Sequence, residues 1–123
     1  EALMHAGEEV PRVTAETPVA DVIHEISSKR LGMTCVLSAD GRLAGIVTDG
    51  DLRRHLTAGA GLLDRRAADI MTHDPVAIAP SLLAAEAVQI MERRKITSLV
   101  VVDAGRLVVG VVHLHDLWRT GLV

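Results

Sequence analysis

One stretch of this chain occurs twice, and that duplication constrains the fold more than any other feature. Gly45-Ile46-Val47-Thr48-Asp49-Gly50-Asp51-Leu52-Arg53-Arg54 returns as Gly110-Val111-Val112-His113-Leu114-His115-Asp116-Leu117-Trp118-Arg119. Each copy reads as a glycine-marked strand that runs through polar residues into a helix. Ile46 and Val47 are strand formers; Thr48, Asp49 and Asp51 cap helices or accept hydrogen bonds in loops. A helix that opens on such a turn offers its first amides to an anion or a ribose. The match extends outward. Thr17 aligns with Ser81, Ile23 with Ala87, Ile26 with Ile90 and Gly41 with Gly105, each 64 residues apart. Gly45 and Gly110, Asp51 and Asp116, and Arg54 and Arg119 are 65 apart, which places one extra residue in the second copy after the turn. Leu3-Met4-His5 likewise resembles Ile70-Met71-Thr72. Repeats of about 50 residues are marginal alone, so two copies are expected to pack their sheets together.

The elements follow from residue spacing. Val10 to Thr14 reads as a brief extended piece. Thr17-Pro18 opens a helix, with Thr17 as N-cap, and Val19, Val22, Ile23 and Ile26 line one face. Lys29 and Arg30 suit its C-terminal dipole, and Gly32 stops it. Thr34 to Ser38 and Leu43 to Val47 are strands joined at Asp40-Gly41, a hairpin signal. A helix runs from about Asp49 to Leu56. Residues 58–66 read as a linker, and Ala67 to Met71 as a short helix. Val76-Ala77-Ile78 is a strand; Ser81 is the N-cap of a helix lined by Leu83, Ala87, Ile90 and Met91. Ser98 to Asp103 and Leu107 to Val112 are strands, and His113 to Arg119 is the last helix.

Composition narrows the function classes. With 123 residues and 49% hydrophobic side chains, the chain is expected to fold around a core. A net charge of -3 and the lack of Phe and Tyr argue against nucleic-acid binding. No apolar run is long enough to span a membrane. Cys35 is the sole cysteine, which fits a reducing, cytoplasmic setting. Glu1 stands where an initiator methionine would be expected, which points to a piece of a longer chain.

Two copies of helix, hairpin and Gly-aliphatic-x-Thr-x-x-Asp-Leu-x-Arg resemble a tandem pair of CBS (cystathionine-beta-synthase) domains. Thr48, Asp51 and Arg54 complete the first motif; the second keeps Asp116 and Arg119 but has His113 in place of threonine. A narrower resemblance rests on Lys29-Arg30-Leu31-Gly32-Met33-Thr34, Thr48 to Arg54, Ala68-Asp69-Ile70-Met71-Thr72 and His113-Leu114-His115-Asp116-Leu117. These are similar to the C-terminal tail of bacterial arabinose 5-phosphate isomerases. The resemblance implies an α/β (α+β) fold of two β-α-β-β-α repeats related by a pseudo-two-fold axis. It divides the chain into a lead-in at 1–9 from a preceding sugar-isomerase (SIS) domain, a repeat at 10–57, the linker at 58–66 and a repeat at 67–123.

What the resemblance implies about sites is specific. The motif aspartates accept ribose hydroxyls, and the motif threonine with the helix N-terminus binds phosphate. One cleft would join Thr48 and Asp51 to Val76, Ala77, Ile78, Thr97 and Ser98. The other would join His113 and Asp116 to Arg12, Val13, Met33 and Thr34. His113 would fill the phosphate position, or bind phosphate when protonated. The expected ligand is AMP, ATP, CMP or a nucleotide sugar such as CMP-Kdo, with no tightly required cofactor. The expected role is regulation of an isomerase that interconverts ribulose 5-phosphate and arabinose 5-phosphate in Kdo and lipopolysaccharide synthesis. Expected partners are the SIS domain and a second copy, giving a homodimer here and a tetramer in the full-length enzyme.

Plainer readings stand beside these. Asp51 and Asp116 can simply cap or lead their helices, and Thr48 can be a plain strand-end threonine. Arg53 and Arg54 either touch phosphate or are solvated surface charges, and Cys35 reads as core packing. Asp49-Gly50-Asp51 as a Mg²⁺ pair, or His73, His113 and His115 as a zinc site, ranks below both, and no metal site or catalytic residue is assigned. The alternative function is a purely structural dimerisation module with empty clefts. A metal-assisted hydrolase comes last, because no nucleophile–base arrangement is readable.

Overall fold

The computed structural model describes residues 4–59, 61–82 and 84–119, without the side chains of Trp118 and Arg119. Leu3, Leu83 and those two side chains, all named above, lie outside the described residues. The elements are β1 (Arg12–Thr14), α1 (Val19–Lys29), β2 (Met33–Leu37), β3 (Leu43–Thr48), α2 (Asp49–Ala58), α3 (Ala67–Ile70) and β4 (Thr72–His73), then β5 (Ala77–Ile78), α4 (Ala84–Arg94), β6 (Ser98–Val102), β7 (Val108–His113) and α5 (Leu114–Arg119). The fold is mixed α+β, and none of the described helices is long and apolar enough to cross a membrane.

The chain forms two compact units. The first is Val10–Pro75; the second runs from Val76 onward and includes residues 4–9. In the first, the sheet order is β1-β2-β3-β4, with β1 parallel to β2 and the other pairs antiparallel. In the second, the order is β5-β6-β7, with the matching parallel and antiparallel pairings. Where the first unit adds β4 beside β3, the second adds His5, which bridges Val111 on β7.

Alternation decides which sheet face is buried. Along β3, Leu43, Gly45 and Val47 are buried while Ala44, Ile46 and Thr48 are partly open. Val36 and Val47 meet Val19, Val22 and Ile26 of α1, and Ala67 and Ile70 of α3, in the first core. Leu62, within the stretch read as a linker, is also buried there. The second core gathers Leu99, Val101 and Val112 under Ala87, Val88 and Met91 of α4, with Leu117 of α5.

Three local expectations are corrected. Helix α1 starts one residue late: Pro18 is its N-cap, with φ -60° and ψ 148°. The Thr17 hydroxyl instead turns back to accept from the Thr14 amide at 3.0 Å. The first helical amide, Val19, donates to the Arg65 carbonyl at 3.0 Å, so a distant backbone group replaces the cap. Ser81 does not cap α4: residues 80 and 81 form a turn, Leu82 lies outside the helix, and the described helix runs from Ala84.

The third correction concerns the repeat. Met33 pairs with Thr48 and Ser98 with His113, so the spacing is already 65 before the hairpin. It is 65 at β1 and β5 too, since Arg12 faces Cys35 and Ala77 faces Val100. There is no inserted residue after the turn. The positive φ of Gly41 (85°) is taken over by Arg106 (68°), not by Gly105. Matching on residue type, at Thr17, Ile23 and Ile26 as well as at Gly41, misplaced the first part of the alignment by one.

Cys35 lies fully buried on β2. Burial pushes its thiol up to about 12, against the opposing pull of Arg12. Thiol-specific reagents at pH 8 are therefore expected to leave native protein unmodified and to label it on unfolding. Labelling of the native state would contradict this environment.

Candidate functional site

In each unit the strand-to-helix turn presents one aspartate. Thr48 ends β3 in an extended conformation (φ -109°, ψ 166°) and caps α2. Its Oγ1 accepts from the Asp51 amide at 3.0 Å, and its own amide donates to Asp51 Oδ2 at 3.0 Å. This reciprocal capping box satisfies two amides that the helix itself leaves unpaired. The Asp49 amide donates to the Gly32 carbonyl at 3.0 Å.

Asp51 is only 4% exposed, so its charge needs partners. The Thr72 hydroxyl donates to it, 3.3 Å from Oδ1 and 3.2 Å from Oδ2. Arg54 forms an ion pair with Oδ1. Although the Arg54 side chain is 67% exposed, it covers this carboxylate, so it is not merely a solvated surface charge. The capping amide is fixed by the fold. The other partners of Asp51 are the Arg54 and Thr72 side chains, whose hydrogen bonds a ligand diol would have to replace.

The second unit builds the same turn from different groups. The Leu114 amide donates to the Thr97 carbonyl at 2.8 Å, as Asp49 does to Gly32. His113 replaces the capping threonine: its Nδ1 accepts from the His115 amide at 3.1 Å. That bond requires Nδ1 to be unprotonated, which assigns the neutral tautomer with the proton on Nε2. Burial holds His113 below the ordinary histidine value, helped by the charges of His115 and His5 and opposed by Asp116. The expected alternative, a protonated His113 holding phosphate, is thus disfavoured by its position. The rings of His113 and His115 meet edge to face at 4.9 Å.

Asp116 accepts from His5 Nε2 at 2.6 Å. His5 therefore occupies in the second unit the place Thr72 takes in the first. Both residues were missed as site groups. The likeness of Met4-His5 to Met71-Thr72 was the signal, but it carried no chemistry until the edge pairing placed each beside its aspartate.

The remaining candidates take these places. In the first unit, Arg12 is exposed on β1 and its amide donates to Glu25 Oε2 at 2.9 Å. Val13 packs at the margin of the first core, and Met33 lies opposite Thr48 across the β2–β3 ladder. Thr34 is fully buried, with its hydroxyl donating to the Cys35 carbonyl at 3.3 Å. In the second unit, Val76 and Ile78 pack against the second core and Ala77 is half-buried on β5. Thr97 is exposed, and Ser98 faces His113 across the β6–β7 ladder. Among the described residues, no three His, Cys, Asp or Glu side chains gather as a metal site.

The sequence profile of the CBS domain matches residues 3–58 and again 67–117. The chain belongs to the CBS domain family. Among curated proteins this CBS pair is 45% identical, over its whole length, to the arabinose 5-phosphate isomerase KdsD of Pseudomonas aeruginosa. It is 42% identical over 121 residues, 98% of its length, to KdsD of Yersinia pestis. It spans 38% and 37% of the lengths of those two relatives. Among solved structures, the fold matches CBSX2 in complex with AMP with a TM-score of 0.83 at 23% identity, covering 98% of this chain and 93% of that one. The family match runs through both strand-to-helix turns, including the one where His113 stands for threonine.

Proposed function

We propose that this CBS pair is a regulatory module that binds a nucleotide or nucleotide sugar and modulates the sugar-isomerase domain of an arabinose 5-phosphate isomerase. The observation that carries the reading is the doubled aspartate, Asp51 and Asp116, each the third residue of a helix that follows a glycine-bearing strand. An aspartate there accepts two ribose hydroxyls beside amides that favour phosphate. The identity to KdsD proteins supports the enzyme context, and the AMP complex of a protein with the same fold supports the ligand class. AMP, ATP, CMP and CMP-Kdo are the ligands to try. The module would act in the cytoplasm, in Kdo and lipopolysaccharide synthesis, as a homodimer within a tetrameric enzyme. No residue of it is assigned to the isomerisation itself.

One observation favours the second reading, a brace without ligand: both aspartates are already engaged by side chains of their own unit. Thermal denaturation separates the two. A ligand that binds only the native state, at a hundred times its Kd, adds about 2.7 kcal/mol. That should raise the Tm by on the order of 10 °C. No shift with any of the four nucleotides would leave the bracing role.

A further inference from the structure

The two aspartates are held by chemically different partners. Asp51 meets a hydroxyl, Thr72, which never titrates in the physiological range. Asp116 meets His5. The His5 ring also points Nδ1 at Glu9 Oε1, 2.9 Å away. Two carboxylates therefore flank one imidazole, and a neutral ring has only one N–H to give. Both contacts are attractive only when the ring is an imidazolium. The backbone of His5 is tied as well: its amide donates to the Val111 carbonyl at 2.7 Å, and the Val111 amide donates back at 2.9 Å.

We propose that His5 is a proton-operated latch on the second unit: as an imidazolium it pins residues 4–9 to the β7 edge and holds Asp116, and on losing its proton it loosens that hold, so that ligand hydroxyls compete with it for the carboxylate. The neutral ring keeps at most one ordinary hydrogen bond, comparable to that of Thr72 to Asp51, and turns a lone pair toward the other carboxylate. The last step rests on the nucleotide-binding reading above; the latch itself does not.

Among the described residues, the titratable groups facing His5 are Asp116 on α5, Glu9 in the turn that follows His5, and His113 on β7 with His115 beside it. Burial alone would lower the His5 value. The hydrogen bonds and charges of Asp116 and Glu9 outweigh it, so His5 is raised above 6.5. Its contribution to stability is complete below pH 6.5 and is lost as pH rises through the raised value. His113 runs the other way: its cap is in place above pH 6.5 and fails as pH falls through its lowered value. The α5 N-terminus is therefore held best between the two. The other unit, with Thr72 and Thr48 in these places, has no such window.

The test has a ligand-free arm and a ligand arm. NMR titration of the unsubstituted chain should give His5 a midpoint above 6.5, with amide protection factors at His5 and Val111 falling about tenfold as it titrates. In His5→Gln that protection should be low and independent of pH. A His5 midpoint at or below 6.5, or protection that ignores the titration, overturns the latch. For the ligand arm, AMP is titrated calorimetrically into Asp51→Ala and Asp51→Ala/His5→Thr at pH 6 and pH 9. Affinity should rise about tenfold more with pH when His5 is present; the double variant corrects for ionisation of AMP itself. Equal pH dependence in the two variants overturns the coupling of latch to ligand. If AMP binds no variant while His5 titrates as expected, the nucleotide reading falls and the latch on residues 4–9 stands.

Discussion

Asp51→Ala is expected to weaken AMP binding by about 10- to 100-fold and to cost about 1–2 kcal/mol of stability. The two effects have separate origins. The carboxylate closes the capping box with the Thr48 amide and accepts from Thr72, so its loss leaves a helix N-terminal amide and a strand-edge hydroxyl without that partner. Its loss also removes the only acidic side chain that the turn holds buried, 4% exposed. A ribose would lose both oxygens of a charge-assisted acceptor. Asp51→Asn separates the terms. The amide oxygen still accepts from the Thr48 amide, so urea unfolding should shift little. The negative charge that attracts Arg54 disappears, and one of the two acceptors becomes a donor, so calorimetry with AMP should show most of the binding loss. If Asp51→Ala binds AMP as the parent chain does, the site has been placed at the wrong turn.

Asp51 and Asp116 could be read from sequence because the motif that bears them is local and occurs twice. The capping box was legible for the same reason: Thr48 and Asp51 are three residues apart and satisfy each other. What escaped was every partner brought in from a distance. The amide of Val19 is served by the Arg65 carbonyl, which no spacing near Thr17 could reveal, and so the start of α1 was misplaced. Thr72 and His5 are 21 and 111 residues from the aspartates they touch. The hairpin offset failed differently. Glycine takes the left-handed turn position in the first copy, at Gly41, but Arg106 takes it in the second with a φ of 68°. Side-chain identity is a weaker guide to such a position than the ladder register on either side of it.

Gly45→Ala should destabilise the first unit by about 1–3 kcal/mol, although alanine favours no worse a strand than glycine does. A Cβ at Gly45 would lie 2.7 Å from the Thr72 carbonyl oxygen and 2.8 Å from Met71 Sδ. The methionine can move. The carbonyl cannot do so cheaply, because Thr72 and His73 are paired to Ile46 and Gly45 in the β3–β4 ladder. The strand must peel away, and the Thr72 hydroxyl would leave Asp51 with it. Gly110 stands in the same relation to the second unit, where a Cβ would come within 2.8 Å of the His5 carbonyl oxygen and would lift the imidazole from Asp116. The glycine that first reads as a strand marker is thus the clearance that lets each edge segment reach its aspartate. Gly50 is the control. A Cβ there meets nothing closer than Thr48 Oγ1 at 3.6 Å, and Gly50 lies within α2, so Gly50→Ala should be neutral or gain up to about 1 kcal/mol. Urea unfolding of Gly45→Ala, Gly110→Ala and Gly50→Ala decides the matter. Equal midpoints for all three would mean that the edge segments are not held against these glycines, and that neither Thr72 nor His5 is fixed beside its carboxylate.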